Sequence, residues 1–265
     1  MINRIDQRFQ ELGDTPAFVA YVCAGDPNME QSLNIIKGLA DAGADIIELG
    51  VPFSDPLADG VVNQMAAERA LKAGATMQGV LQLIKDFRLT HDTPIVLFTY
   101  LNPIYAYGYE AFNTDALAAG ADGVLLLDLP PDEAKLNAEL STDTGLKNIT
   151  LIAPTSPDDR IASLAAQSEG FIYALSRTGV TGGQAAPSAS IGDTVAKIKA
   201  HTKTPVCVGF GITTPEQSAL VGSVSDGVVV GSTIVKVIAE NTESPDVAEK
   251  VAAFTKPLID AAKGV

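Results

Sequence analysis

Short apolar runs recur along the chain at 17–23, 45–50, 94–100, 123–129, 148–153, 171–176, 205–210 and 227–231. Runs this apolar suit strands covered on both faces, as in a parallel sheet. Between them lie amphipathic stretches of helical length. Asp26-Pro27 precedes one and is read as N-cap and first-turn proline. Ser156-Pro157-Asp158-Asp159 precedes another, and Thr214-Pro215-Glu216-Gln217 has the form of a capping box. Ala-Gly-Ala-Asp occurs at 42–45 and again at 119–122, each time just before a strand. There it is expected to end a helix, with glycine in a left-handed conformation. Residues 2–12 read as an extra amphipathic helix before the first strand.

Eight strands alternating with helices predict a (β/α)8 barrel of class α/β, with an open doubly wound sheet as the alternative. Eight repeats with no long gap favour closure. The expected organisation is one barrel domain over residues 1–265, a length one such barrel can occupy.

The formal net charge of −14 argues against a nucleic-acid or anionic-membrane partner. No apolar run reaches the roughly 18 residues of a membrane span, and the N-terminus has no secretory pattern. The cytosol is the expected location. Cys23 and Cys207 each sit inside an apolar run and read as buried small hydrophobes. His91 and His201 precede strands and are expected on the surface, so no metal centre is predicted.

In such a barrel the site lies where strands end and βα loops begin. Strand residues alternate faces, so Ile46 and Glu48 share one side and Ile47 and Leu49 the other. If Ile47 and Leu49 meet the helices, Glu48 points into the barrel, where burial would raise its pKa toward a range useful for proton transfer. It reads equally as a solvated or salt-bridged strand-end carboxylate. Asp59 and Asp55 lie in the following loop and read either as turn residues or as partners of Glu48. The glycines of Gly209-Phe210-Gly211 and Gly231-Ser232-Thr233 follow strands seven and eight, the usual phosphate position. Glycines there let backbone amides approach an anion, with Ser232 beginning a short helix at 233–240; the alternative is tight turns alone. Neither turn holds Lys or Arg, so ligand affinity should depend only weakly on salt. Tyr21, Phe98, Leu125, Leu127, Phe210 and Tyr173 lie on strands or their ends, either lining a slot or as ordinary core.

The segment Glu48-Leu49-Gly50-Val51-Pro52-Phe53-Ser54-Asp55-Pro56-Leu57-Ala58-Asp59-Gly60 resembles the signature of tryptophan synthase alpha subunits. The likeness continues in Ala153-Pro154-Thr155-Ser156, in Ser176-Arg177-Thr178-Gly179-Val180-Thr181-Gly182, in Val208-Gly209-Phe210-Gly211-Ile212 and in Gly231-Ser232-Thr233-Ile234-Val235-Lys236. The resemblance implies retro-aldol cleavage of indole-3-glycerol phosphate to indole and glyceraldehyde 3-phosphate. Glu48 would be the general acid and base, Asp59 would stabilise the ring N–H, and Tyr173 would place its hydroxyl near Glu48. Tyr21, Phe98, Leu125, Leu127, Thr181 and Phe210 would bind the substrate; Gly182, Gly211, Gly231 and Ser232 would bind its phosphate. The loop from Arg177 to about Ser190 would be a lid that brings Thr181 to Asp59.

The resemblance also implies a beta-subunit partner in an alpha2-beta2 assembly. Pyridoxal phosphate would belong to that partner, with no cofactor in this chain. Residues around Asp55-Pro56 and the apolar loop 102–107, with Pro103, Ile104, Tyr105 and Tyr107, are the expected docking face. Two positions bear on the loop's anchoring. Ala67 stands where an amide side chain is expected, which removes one hydrogen bond positioning the loop, and Asn102 is expected to order the barrel top. Another sugar-phosphate barrel enzyme, such as an isomerase or epimerase, fits the glycine turns equally well but not the Glu48–Gly60 signature. A non-catalytic binding subunit is the third reading.

Overall fold

A computed structural model describes residues 2–129, 145–176, 188–209 and 211–265, with the side chains of 188–190 excepted. The first element is α1 (Arg4–Leu12), begun by Asn3, whose side chain accepts the Ile5 amide. Then follow β1 (Ala17–Cys23), α2 (Met29–Asp41), β2 (Ile46–Gly50), α3 (Val61–Lys72), α4 (Met77–Arg88) and β3 (Ile95–Thr99). After these come α5 (Leu101–Tyr107), α6 (Tyr109–Ala119), β4 (Gly123–Leu126), β5 (Lys147–Ile152), α7 (Asp158–Gln167) and β6 (Ile172–Leu175). The described chain ends with α8 (Ser188–Lys199), β7 (Val206–Gly209), α9 (Pro215–Gly222), β8 (Gly227–Val230), α10 (Ser232–Ala239) and α11 (Val247–Lys263).

Each strand pairs in parallel with its sequence neighbour, and β8 pairs with β1, so the sheet closes. This is the expected (β/α)8 barrel and excludes the open sheet. Closure separates an outer from an inner core, with a smaller third cluster joining α3 and α10 to Tyr21 and Cys23. Ile47 and Leu49 join the outer core between sheet and helices, while Ile46 joins Val19, Val96, Leu125 and Val229 inside. Ile5 of α1 is fully buried in that inner core, so α1 stoppers the barrel's N-terminal end.

At that same end, four acidic residues repeat one device. The Asp45 amide donates to the Phe18 carbonyl, and Asp45 Oδ2 accepts the Phe18 amide at 2.8 Å. Asp122 does the same with Ile95, Asp226 with Val206, and Glu169 with Asn148. Each carboxylate precedes an even-numbered strand and satisfies an amide at the start of the odd strand before it, a group that would otherwise be left open. Three also take cations: Lys263 on Asp45, Arg88 and Arg4 on Asp122, Lys199 on Asp226. The repeated Ala-Gly-Ala-Asp phrase is two of these four, with Gly43 and Gly120 at φ of 104° and 96° ending their helices as expected.

Several local expectations need correction. Asp26 does not cap α2; Asn28 does, its side chain accepting the Gln31 amide, while Asp26 is buried against Arg69. Thr214 caps α9 as expected, but Gln217 returns its side chain to the Thr213 amide rather than to Thr214. Residues 102–107 are not a loop: they belong to α5, and Ile104 is buried beneath it. The short helix after strand eight runs one residue earlier, from Ser232. His201 is exposed, but His91 is half-buried, stacked on Phe87 at 4.8 Å. Cys23 and Cys207 are buried free thiols. Among the described residues, no helix is long and apolar enough to cross a membrane, and no cluster of His, Cys, Asp or Glu could hold a metal ion.

Candidate active site

Glu48 is in register with Tyr21 of β1 and Val96 of β3, on the inward face of β2. It is 1% exposed, and neither carboxylate oxygen has a hydrogen-bond partner among the described residues. An unpaired carboxylate is costly to bury, so the proton is retained and the pKa rises to about 8. Near neutrality this side chain is therefore largely a neutral acid that can deliver a proton and then recover one.

Asp59 ends the β2–α3 loop. Its Oδ2 accepts from the Tyr100 hydroxyl at 2.7 Å and its Oδ1 from Asn63 Nδ2 at 3.4 Å. Burial raises its pKa, while both hydrogen bonds favour the ionised form and limit the rise. Both carboxylates act on the phenol of Tyr21, raising a pKa that burial and Cys23 already push up. Tyr21 thus stands in the field of both acids, at one mouth of the barrel.

The aromatic residues there sit against glycines. A Cβ on Gly50 would fall 2.6 Å from the Tyr21 hydroxyl, and one on Gly209 would fall 2.4 Å from that of Tyr173. Tyr173 lies in the inner core, where burial and then the Glu48 charge raise its pKa. Tyr21 meets Phe98 edge-on with ring centroids 5.0 Å apart. Leu125 is fully buried inside the barrel, with Leu127 packed against the same core just beyond the end of β4.

On the adjoining rim, Gly211 adopts a φ of 77°, open to glycine at little cost. Gly231 precedes α10, where no side chain caps the helix start. The first-turn amides, beginning with Ser232, therefore face outward with the positive end of the helix dipole. Thr233 ties this helix to the β7 loop by donating to the Ile212 carbonyl at 2.9 Å. Thr181, Gly182 and Phe210 lie outside the described residues, as do 177–187 of the loop 177–190 expected to act as a lid; residues 188–190 begin α8 instead of belonging to a loop.

A closed barrel with a buried acid, a second carboxylate and glycine turns on one rim narrows the families this chain could join. The family model described as tryptophan synthase alpha chain matches residues 9–263. The chain belongs to the tryptophan synthase alpha chain family. It is 46% identical to the tryptophan synthase alpha chain of Opitutus terrae over 265 residues, covering 99% of this chain and 100% of that one. It is 47% identical to that of Desulfatibacillum aliphaticivorans over 248 residues, 94% of each. Among solved structures, the alpha subunit from Legionella pneumophila superposes with a TM-score of 0.92 at 36% identity, with all of both chains covered. The aminoacrylate-bound tryptophan synthase from M. tuberculosis gives 0.87 at 32%, covering 98% of this chain and 99% of that one.

Within this alpha-chain fold, three residues that hold Asp59, namely Tyr100, Asn63 and Gln64, were missed from the sequence. Tyr100 looks like the end of a strand, and its hydroxyl reaches Asp59 only because the barrel brings β3 beside β2. Asn63 did leave a signal: it shares one helical face with Ala66, Ala67 and Ala70, spaced i, i+3, i+4 and i+7. That face packs on Tyr21 and Cys23, so an amide beginning it points at the mouth. Ala67 accordingly packs in the core, and the loop is held instead by Asn63, by Tyr100 and by Gln64, which donates to the Asp59 carbonyl at 2.8 Å. Asn102 is exposed on α5; the mouth is ordered there by Asp128, whose Oδ1 accepts the Leu101 amide at 2.7 Å.

Proposed function

We propose that this chain, read as one catalytic domain, cleaves indole-3-glycerol phosphate by a retro-aldol reaction. Glu48 in its acid form protonates carbon 3 of the indole ring. The resulting carboxylate takes the proton from the hydroxyl on the side-chain carbon bonded there. That carbon becomes a carbonyl as the carbon–carbon bond breaks, and the bonding electron pair returns to the ring. Indole and glyceraldehyde 3-phosphate leave, and Glu48 is again protonated. Asp59, ionised and held by Tyr100, opposes the positive charge that develops at the ring N–H.

The observation that carries this reading is the contrast between the two acids. Glu48 is buried without a hydrogen-bond partner among the described residues, and Asp59 is held by two donors that favour its charged form. The flanking assignments follow. Tyr173 stands beside Glu48; Tyr21, Phe98, Leu125 and Leu127 form the ring slot, completed by Thr181 and Phe210. The phosphate rests on the amides around Gly211, Gly231 and Ser232; Gly182, outside the described residues, is assigned to the same group. The chemistry asks for no metal or redox cofactor from this chain.

The proposed partner is a beta chain that carries pyridoxal phosphate and joins this one in an alpha2-beta2 assembly. Leu57 is 92% exposed and Tyr105 80%, an apolar presentation on the segments expected to dock. Purified protein mixed with indole-3-glycerol phosphate is expected to release indole. Release no faster than from a Glu48→Gln/Asp59→Asn double variant would overturn the reading.

A further inference from the structure

The turn between β1 and α2 lies directly over α3. At Gly25, with φ of 81°, a Cβ would fall 2.8 Å from that of Ala75 and 3.5 Å from that of Ala70. The next residue, Asp26, is 1% exposed and is gripped at both oxygens by one guanidinium. Arg69 donates through Nε to Oδ1 at 2.8 Å and through Nη2 to Oδ2 at 2.7 Å. Arg69 lies on α3, the helix whose first turns carry Asn63 and Gln64, both bound to Asp59.

The packing face of α3 is built from Ala66, Ala67 and Ala70 against Tyr21, Cys23 and Val235 of α10. Methyl groups give a helix shallow ridges, so interlocking alone weakly fixes its roll and height. A bidentate, charge-assisted pair fixes both. The Cys23 thiol is influenced by Asp26, Asp59 and Arg69 together, which puts the pair and the second carboxylate in one neighbourhood.

We propose that the Asp26–Arg69 pair is a positioning device for Asp59: it sets α3, and α3 sets the carboxylate. The inference rests on the reading that Asp59 faces the ring N–H. It separates Asp59 from the phosphate turns, which α10 and the β7 loop hold without Arg69.

The test compares Arg69→Lys and the double variant Asp26→Leu/Arg69→Met with the wild type. An apolar pair commonly replaces a buried ion pair at little cost in stability, whereas removing one partner strands a charge. Four quantities are measured: kcat and KM for indole release, the dissociation constant for inorganic phosphate, and the Asp59 carboxyl titration midpoint by 13C NMR.

The double variant is expected to fold with kcat down at least about tenfold, while KM and phosphate affinity stay within about threefold. Arg69→Lys should lower kcat in the same direction, because an ammonium cannot reproduce the fork. Its Asp59 titration midpoint should move by at least about half a unit. A folded variant with wild-type kcat and an unmoved Asp59 midpoint would overturn the proposal. So would a parallel loss of kcat, KM and phosphate binding, the mark of general loosening. If the double variant does not fold, Arg69→Lys decides by the same measures. Absence of indole release from the wild type would fail the functional reading instead, and the Asp59 titration would still judge the positioning role.

Discussion

The Tyr100 hydroxyl bridges the loop that carries Asp59: it donates to Asp59 Oδ2 at 2.7 Å and accepts the Ala58 amide at 3.0 Å. Tyr100 is itself buried and leans on Phe53, with ring centroids 5.3 Å apart. One phenol therefore helps to orient the second carboxylate and, with Asn63, opposes the rise in proton affinity that burial imposes on it.

Tyr100→Phe should raise the Asp59 pKa, because the lost hydrogen bond favours the ionised form. In the proposed mechanism Asp59 acts ionised, so activity should fall away at a higher pH as the solution is acidified. The loss near neutrality should be about tenfold, the scale of one hydrogen bond to a charged group. A kcat/KM profile against pH checks it; an unmoved acid limb would refute it.

Glu48→Gln should reduce kcat by roughly 100- to 10,000-fold, the range of a lost general acid–base group. Its effect on stability has a definite sign. The folded pKa of about 8 lies above the ordinary 4.5, so between those values the folded chain holds a proton that the unfolded chain has released. Wild-type stability should therefore fall as pH rises from about 4.5 to about 8. The glutamine variant should gain on the wild type over that window, by a few kcal/mol at most. Urea melts at pH 5 and pH 8.5 measure the difference.

Gly209→Ala would put a methyl group against both the Tyr173 hydroxyl and the Val229 Cβ, the latter at 2.8 Å. Val229 belongs to the inner core and cannot swing away as the tip of a long side chain can. A loss of about 1–3 kcal/mol is expected, with impaired turnover as Tyr173 is displaced. Thermal melting and indole release test the two parts separately.

Asp122→Ala removes the acceptor for Ile95 and the partner of Arg88 and Arg4 at the closed end of the barrel. The expected cost is about 3–5 kcal/mol, since Arg88 is left charged and largely buried. At a temperature where the variant stays folded, kcat should match the wild type within about twofold, because the site lies at the other end. A selective loss of kcat would show the two ends to be coupled.

The strands were legible because a parallel barrel buries both faces of most of its strands, which writes continuous apolar runs such as Ala17–Cys23 and Gly227–Val230 into the chain. Five strand ends were read too long: Tyr100, residues 127–129, Ala153, Ser176 and Gly231 lie beyond the last ladder residues of β3, β4, β5, β6 and β8. The α5 helix was read as a loop because only Ile104 is buried on it, too little to create a helical stripe.

Sequence alone marked the eight strands and put Glu48 on the face of β2 opposite Ile47 and Leu49, because these follow from periodicity within one segment; closure of the sheet then turned that face inward and left Glu48 without a partner among the described residues. Tertiary structure decided which groups would meet: Tyr100 with Asp59, Asp26 with Arg69, and Glu169 with the same task as three aspartates. Such pairs join segments that are separated in sequence and brought side by side only when the sheet closes. Their energies come from desolvation and hydrogen-bond geometry, which depend on what surrounds a side chain and leave no repeating mark along the chain.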